Sequence, residues 1–363
     1  MASRLIGMAS VASPVMAPAG QSLLYRQGHP RCIRRPSLST PVPASADEAT
    51  AGTVPEPMTD PTHLPVMTAE VVDALKVEPG GVYLDCTVGE GGHAEAVVRA
   101  ARGVSLLGID LDRDALRAAE RRLSPSTGVE LVHGNSADVA RIASRHGATP
   151  ASGVLFDLGI SSLQLDTPHR GFSFRHEAPL DMRFSSDGDT TADDIVNRYP
   201  RRELEAIIRQ FGEQPRAGAV AAAIVRARRI ETTTQLAAVV ARALNRPGRG
   251  RIHPATRTFQ ALRIAVNDEL DNLRAGLAGA IEALGHGGRL VVISYHSLED
   301  RIVKELMRRE ASECICPPST PVCICGHAAS LRLINRRVMT PSVQEIRSNP
   351  RARSAKMRIA ERL

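Results

Sequence analysis

The stretch Tyr83-Leu84-Asp85-Cys86-Thr87-Val88-Gly89-Glu90-Gly91-Gly92-His93 joins an apolar segment to a glycine-rich turn. Residues 82–84 predict the end of a buried strand, and Asp85 follows at its carboxyl end. Residues 94–101 are rich in alanine and predict a helix directly after the turn. A strand, a glycine turn and a helix form the first half of a nucleotide-binding βαβ unit. The glycines are needed because a side chain there would hold the ligand away from the backbone.

The next apolar segment indicates which ligand to expect. Residues 105–109 predict a second strand that ends at Asp110, where an acid can bind the two ribose hydroxyls of an adenosine ligand. A dinucleotide site requires G-x-G-x-x-G beneath a pyrophosphate, whereas here the carboxylates of Asp85 and Glu90 flank the turn. Two carboxylates suit a cationic ligand, and we predict S-adenosylmethionine as the cofactor. A nicotinamide-dependent oxidoreductase is the alternative.

Length, composition and charge limit the class of protein. The chain has 363 residues, of which 43% are hydrophobic, so it can form two domains or one domain with an insertion. No apolar run is long enough to span a membrane, and we expect no membrane partner. The formal charge is +7, and residues 301–363 contain 13 basic and five acidic side chains. This concentrated positive charge favours a polyanionic partner, although a solvated helix face has the same composition.

Residues 1–60 have the composition of a targeting segment. They are rich in alanine, serine and proline, and the first acidic residue is Asp47. A continuous apolar core, which a secretory signal would need, is missing. The pattern favours a transit peptide that directs the protein to the chloroplast stroma, with the mitochondrial matrix as the alternative; an ordinary disordered tail would look similar.

The alternation of strands and helices is interrupted once. Residues 129–133, 154–157 and 289–294 predict further strands, whereas residues 167–252 predict loops and four helices. We therefore predict an α/β fold with an inserted all-helical domain. The predicted segments are 1–60 (transit peptide), 61–166 (first part of the α/β domain), 167–252 (helical insertion) and 253–363 (second part, with a basic tail).

Small polar residues follow the fourth predicted strand, in Asp157-Leu158-Gly159-Ile160-Ser161-Ser162-Leu163-Gln164-Leu165-Asp166. Hydroxyl and amide groups in this position can hold a flat base edge-on by hydrogen bonds. Ser161, Ser162 and Asp166 are equally typical of helix caps. The residues alone favour neither interpretation.

Two basic groups are candidates for phosphate contacts. The first is a loop at the end of the helical insertion with Arg246, Arg249 and Arg251, and the second is the pair Arg351 and Arg353 in the tail. The alternatives are a surface hinge with solubilising charges for the loop, and arginines that dock the tail on acidic side chains of the protein.

Four cysteines occur close together, in Cys314-Ile315-Cys316 and Cys323-Ile324-Cys325, with His327 nearby. Four thiolates can bind zinc tetrahedrally, but C-x-C is tighter than the usual C-x-x-C spacing. We assign no metal ligand from the sequence, and zinc binding by this group stays open.

The motifs together resemble one family. Asp-Cys-Thr-x-Gly-x-Gly-Gly-His at 85–93 is similar to the signature of the bacterial RsmH (MraW) family, and so are the strings at 157–166, 253–264, 294–301 and 349–358. The resemblance covers about residues 61–363. It implies a class I methyltransferase sheet with an inserted helical domain. It also implies S-adenosylmethionine-dependent methylation of the exocyclic N4 of a cytosine, in small-subunit ribosomal RNA at the decoding centre.

The resemblance assigns roles residue by residue. The implied donor contacts are Gly91, Gly92, His93, Asp110, Asp157 and Gln164. One position departs from the family, because an aromatic residue is common where this chain has Ser136. Stacking on the donor adenine is then weaker or comes from elsewhere.

Methylation of the N4 amine requires a group that accepts its hydrogens. We predict Asp157, Ser161 and Ser162 as the catalytic residues, and favour His296 less because a lone histidine is more often structural. The partner would be small-subunit ribosomal RNA or an assembling subunit, and the oligomeric state stays open, a homodimer included. A non-catalytic RNA-binding assembly factor that retains the fold is the alternative function.

Overall fold

The computed structural model describes residues 65–245, 253–317, 319–320 and 322–363. The predicted transit peptide (1–60) and the basic loop with Arg246, Arg249 and Arg251 lie outside these residues. Within the described part of the chain, no helix is both long enough and apolar enough to cross a membrane.

A seven-stranded sheet with the order β3-β2-β1-β4-β5-β7-β6 organises the molecule. Its first five strands are parallel, whereas β7 runs antiparallel to both β5 and β6. The predicted α/β fold is therefore confirmed. The strands are β1 (Val82–Asp85), β2 (Ser105–Asp110), β3 (Val129–His133), β4 (Ala151–Asp157), β5 (Leu284–Ser294), β6 (Leu331–Leu333) and β7 (Lys356–Arg362).

Helices cover both faces of the sheet, because successive side chains of each central strand are buried on opposite sides. In β4, Phe156 packs with helices α4, α11 and α12, whereas Leu155 packs with α1, α2 and α3. These helices are α1 (Thr68–Leu75), α2 (Gly92–Ala100), α3 (Arg113–Leu123), α4 (Val139–Arg145), α11 (Glu269–Ala283) and α12 (Ser297–Glu310).

The segment after β4 is helical and has its own hydrophobic core. That core includes the fully buried side chains of Leu204, Ile224 and Leu236. Helix α10 contributes Phe259 to this core and Ile264 to the core beneath the sheet, so it connects the two. The segment boundaries at 167 and 253 remain predictions. The helices are α5 (Ser162–Asp166), α6 (Ala192–Arg198), α7 (Arg201–Gly212), α8 (Ala217–Arg226), α9 (Thr233–Ala243) and α10 (Thr256–Asn267).

The segment from His253 to Leu284 does not form one continuous helix. The structure has two helices, α10 and α11, that are separated at Asp268, where the backbone is left-handed (φ 49°). The break turns the chain so that Arg263 in α10 forms a two-pronged ion pair with Glu269 in α11, each N–O distance being 2.7 Å.

The carboxyl-terminal segment is not a free basic tail. A short helix, α13 (Val343–Ser348), precedes β7, which is inserted between β5 and β6 and buries Met357 completely. Arg358 and Lys356 both pair with Asp300 in α12, at 2.7 and 3.5 Å. Part of the positive excess of residues 301–363 is therefore neutralised within the fold.

We expect Met357→Ala to lower the free energy of unfolding by about 2–5 kcal/mol, because it leaves a cavity beside the sheet. Denaturant titration would measure this loss. Arg353→Ala is the control, since an exposed substitution four residues away should change stability by less than about 0.5 kcal/mol. Equal stability of the two variants would contradict the assignment of residues 356–362 as an inner strand.

Candidate active site

A cavity of about 440 Å³ lies where the carboxyl ends of β1, β2, β4 and β5 meet. Ligands bind at this edge in open parallel sheets, because the loops that follow the strands diverge there. The polar lining residues include Thr87, Glu90, His93, Asp110, Asn135, Asp157, Ser162, Gln164, Arg263, Glu269, Tyr295, His296, Glu299 and Arg351. The cavity brings together most of the site residues that the sequence predicted.

The glycine turn is held by Asp110. Its Oδ2 accepts a hydrogen bond from the amide of Gly89 at 2.8 Å, and its Oδ1 accepts one from the amide of Asp112 at 2.9 Å. Burial raises the pKa of Asp110 to about 6, although these backbone hydrogen bonds lower it. The acid at the end of β2 thus both lines the cavity and fixes the turn.

Gly91 and Gly92 differ in role. Gly92 lines the cavity, as predicted for a donor contact. Gly91 is not among the lining residues: its φ is +80°, and a Cβ there would lie 3.1–3.3 Å from atoms of Leu123 and Ala119 in α3. The structure requires glycine at 91 for the turn and for close packing of α3, and the donor contact of Gly91 remains a prediction.

Asp157 occupies the centre of the site. Its Oδ1 accepts a hydrogen bond from the hydroxyl of Tyr295 at 2.8 Å, and its Oδ2 lies 3.4 Å from Nε2 of His93. Its backbone amide donates to Oγ1 of Thr87 at 2.7 Å, which ties the end of β4 to the glycine turn. Asp157 therefore connects the predicted donor side with the predicted acceptor side.

A second carboxylate lies beneath this pair. Asp85 is 2% exposed, and burial raises its pKa to about 7, although the charge of His93 and the amide of Thr87 lower it. For His93, burial lowers the pKa, but the close contact with Asp157 and the charges of both aspartates outweigh it and raise the pKa. The two acids thus favour a protonated His93.

Ser161 is a helix cap. Its hydroxyl accepts a hydrogen bond from the amide of Gln164, and the side chain of Gln164 accepts one from the amide of Ser161, both at 3.1 Å. The Gln164 side chain also donates to Asp112 at 2.9 Å. Ser161 and Gln164 both line the cavity, but their polar groups are engaged within the protein, which supports the capping interpretation and a positioning role.

Ser162 and Arg351 form a contact that the sequence did not reveal. The guanidinium of Arg351 donates to the hydroxyl of Ser162, and both oxygens of Asp166 accept from it at 2.9 Å. Arg351 therefore docks the segment before β7 on the loop after β4, which agrees with the docking alternative, and its contact with phosphate remains a prediction. Arg353 is exposed and has no ion-pair partner within the described residues.

A polar cluster next to Asp157 was largely missed by sequence reasoning. It consists of Arg263, Glu269, His296 and Glu299, all of which line the cavity and are at most 12% exposed. Nε2 of His296 lies 3.1 Å from Glu299, whose other oxygen accepts from the amides of Tyr295 and His296. Glu269, His296 and Glu299 approach one another within 4.8 Å.

Only part of this cluster had a signal in the sequence. The string Ser294–Arg301 placed His296 at a strand end, but a single histidine is usually structural. Arg263 and Glu269 could not be identified, because a continuous helix would not have turned Glu269 toward Arg263. Tyr295 lies within the string at 294–301, but its hydrogen bond to Asp157 joins two residues that are 138 positions apart in the sequence.

The residues after β3 also reach the cavity. Asn135 and Ser136 line the cavity, and Asn135 donates to Oδ1 of Asn272 at 3.1 Å. In place of an aromatic ring at 136, the neighbouring lining includes the apolar side chains of Leu111, Ala115 and Leu273.

These features define the class of protein. A parallel sheet with an inverted β7 beside β5, a glycine turn after β1 and an acid at the end of β2 make this chain a class I methyltransferase, which uses S-adenosylmethionine. Residues 60–363 match the MraW methylase family, and the chain belongs to that family.

Curated relatives extend over nearly the same length. The chain is 56% identical over 304 residues to "Ribosomal RNA small subunit methyltransferase H" of Dehalococcoides mccartyi, covering 83% of this chain and 86% of the relative. It is 53% identical over 307 residues to the protein of the same name from Thermomicrobium roseum, covering 83% and 94%. Among solved structures, it is similar to a putative methyltransferase from Streptococcus mutans in complex with SAH, with TM-score 0.39, 11% identity and 83% and 100% coverage.

We expect Asp85→Asn to stabilise the fold in a pH-dependent way. The folded pKa of Asp85 is about 7 and its ordinary value is 3.8, so the folded state retains this proton and loses stability as the pH rises between those values. The gain from Asn should therefore grow from about pH 4 to pH 7 and level off above, at up to about 4 kcal/mol.

Thermal unfolding of both proteins between pH 5 and pH 8 would measure this gain. Asp138→Asn is the matched control, because Asp138 is half exposed and pairs with Arg141 on the surface. A gain that is independent of pH, or that shrinks as the pH rises, would contradict the raised pKa of Asp85.

Proposed function

We propose that this protein transfers the methyl group of S-adenosylmethionine to the exocyclic N4 of a cytosine in small-subunit ribosomal RNA, at the decoding centre. The substrate is supported by the names of its curated relatives, which are ribosomal RNA small subunit methyltransferases. The observation that carries the reaction is the position of Asp157, which lies between the glycine turn and the loop after β4 and has both oxygens directed by neighbouring groups.

The donor side suits a cation. Asp110 and Asp157 lie close enough to Asp85 for their charges to raise its pKa, in addition to the effect of burial. A sulfonium in this field is stabilised, whereas a pyrophosphate would be repelled. The oxidoreductase alternative is therefore disfavoured. We assign donor contacts to Gly92, His93 and Asp110.

The acceptor is a weak nucleophile, because the N4 lone pair of cytosine is delocalised into the ring. Placing N4 in line with the methyl group is therefore the larger part of catalysis. As the N–C bond forms and the C–S bond breaks, the nitrogen becomes positive and must lose a proton. Asp157 accepts a hydrogen bond from the amine, stabilises this charge and takes up the proton, while Tyr295 and His93 hold the carboxylate and the sulfur leaves as a neutral thioether.

In this proposal, Ser161 and Ser162 contribute by holding the loop after β4 in place. Ser161 caps α5 and Ser162 accepts from Arg351, so both fix the backbone that faces the base. The cluster around His296 and Glu299 forms the adjoining wall of the cavity. The cytosine must leave its stack to enter, as for other enzymes that modify a base.

Basic side chains outside the cavity would hold the RNA backbone. Arg353 is exposed beside the docked Arg351, and we propose that it contacts phosphate together with Arg246, Arg249 and Arg251. We also propose that the helical segment 167–252 recognises the RNA. These contacts position the substrate without reading its sequence.

Product analysis tests the reaction. Purified protein, S-adenosylmethionine and small-subunit ribosomal RNA, free or as subunits, should yield N4-methylcytidine, detected by mass spectrometry of the digested nucleosides. A different methylated nucleoside would overturn the proposed specificity. Donor binding by calorimetry without any methylated product on either substrate would favour the non-catalytic assembly factor.

We expect Asp157→Asn to lower kcat by roughly 10²- to 10⁴-fold, because the amide cannot accept the proton or stabilise positive charge. Donor affinity should fall much less, as measured by calorimetry. Tyr295→Phe should give a smaller loss of kcat. Tyr83→Phe is the control, since its hydroxyl is hydrogen-bonded to the backbone of Lys76 and Glu78, away from Asp157. Equal losses of kcat and donor affinity in Asp157→Asn would instead make Asp157 a donor-side residue.

We expect Arg353→Ala to weaken RNA binding and to reduce the slope of log K against log salt by about 0.7–0.9, the loss of one phosphate contact. Donor affinity should not change. Arg141→Ala is the matched control, because Arg141 is also exposed but lies in α4 and pairs with Asp138. Identical salt slopes for wild type and Arg353→Ala would remove Arg353 from the RNA interface.

We further propose that residues 1–60 direct the protein to the chloroplast stroma. The support is their arginine-containing, acid-poor composition. Import of the full chain into isolated chloroplasts, with cleavage of the segment, would support the proposal. Import into mitochondria alone would overturn it in favour of the matrix.

A further inference from the structure

Four thiols converge in the segment between α12 and β6. Sγ of Cys314 lies 3.4 Å from Sγ of Cys323 and 3.8 Å from Sγ of Cys325, and the Cys323 and Cys325 sulfurs are 3.5 Å apart. Together with Cys316, all four sulfurs lie within 4.8 Å of one another. Two C-x-C pairs that are separated by six residues in the sequence thus form one sulfur-lined centre.

The distances fit a single tetrahedral ion. A Zn–S bond of about 2.3 Å places the sulfurs of a tetrahedral site about 3.8 Å apart. A disulfide would require a separation of about 2.05 Å, and the four cysteines are free. The sulfurs are therefore separated as ligands of one ion would be, after a small outward adjustment.

Backbone amides donate to two of the sulfurs. The amide of Cys316 lies 3.4 Å from Sγ of Cys314, and the amide of Ile324 lies 3.4 Å from Sγ of Cys316. Such donors orient metal ligands. The C-x-C spacing produces the first of these contacts directly, because the second cysteine of the pair donates to the first.

The segment has little else to hold it. Among its described residues, 311–330 contain no helix or strand. The apolar side chains of Ile315, Val322 and Ile324 are 41%, 73% and 84% exposed, so they do not form a core. A loop of this length without a core or regular structure needs another constraint to adopt one conformation.

Hydrogen bonds close the loop at its base. The amide of Ser330 donates to the carbonyl of Glu310 at 2.8 Å, and Nε2 of His327 lies 3.0 Å from the carbonyl of Arg309. The loop therefore leaves α12 and returns to β6 at one point. His327 is engaged at this base and is not needed as a ligand.

We propose that Cys314, Cys316, Cys323 and Cys325 bind one structural Zn²⁺ ion. Four protein thiolates complete a tetrahedral shell and leave no open position for water or substrate, which distinguishes a structural zinc from a catalytic one. The ion replaces the missing core of the loop and fixes the chain between the end of α12 and the edge strand β6. This site is separate from the cavity, and the inference does not depend on the proposed function.

Metal analysis of the full chain tests the site. Protein that is purified without chelator should contain about one zinc per chain, and Cys316→Ser and Cys323→Ser should lose it. His327→Ala is the matched control and should retain zinc, because the histidine contacts the Arg309 carbonyl instead. Loss of zinc in His327→Ala equal to that in the serine variants would overturn the four-cysteine assignment.

Hydrogen exchange separates a structural ion from one that binds adventitiously. Removing zinc should accelerate amide exchange in residues 311–333 by at least about tenfold, while β1 and β4 remain unchanged. Restoring one equivalent of Zn²⁺ should reverse the effect. Zinc-free protein with four titratable thiols, iron in place of zinc, or exchange that does not respond to zinc would each overturn the proposal.

Discussion

The carboxylate of Asp110 is the constraint on which the site depends. Its two oxygens accept from the amides of Gly89 and Asp112, so one side chain holds the glycine turn against the end of β2. Asp112 in turn caps α3 and accepts from Gln164, and Gln164 completes the cap of α5 with Ser161. A chain of capping interactions therefore connects the glycine turn after β1 to the loop after β4. Burial makes each link costly to break, because an unpaired carboxylate would remain in a poorly solvated place.

The electrostatics of the cavity follow from the same arrangement. Parallel strands direct their carboxyl ends to one edge, so acids at the ends of β1, β2 and β4 are brought together although they are far apart in sequence. Burial raises the pKa of Asp85 and Asp110, and the hydrogen bond from Tyr295 and the nearby His93 orient Asp157. Under the proposed function, this preformed group of acids would bind a sulfonium and stabilise positive charge on the amine without reorganisation of the protein.

The carboxyl-terminal residues complete both the sheet and the site. Strand β7 pairs with β5, and the turn before it carries Arg351 to Ser162 and Asp166. The basic residues of this segment thus differ in role. Arg351 and Arg358 form ion pairs within the protein, whereas Arg353 is exposed. The cysteine loop between α12 and β6 adds a local constraint at the outer edge, where hydrophobic burial is smallest.

The sequence by itself determined the sheet's first five strands, the glycine turn and the acids at the strand ends, because these depend on local periodicity and on residue types that few other conformations require. Asp110 was predicted for this reason, whereas the roles of His93 and Asp157 were implied by the resemblance to the family. Tertiary structure decided the rest. The break at Asp268 that pairs Arg263 with Glu269, the hydrogen bond from Tyr295 to Asp157 and the docking of Arg351 all depend on contacts between distant segments. Local patterns carry no information about such contacts, since the free energy that stabilises them arises only when the sheet brings the segments together.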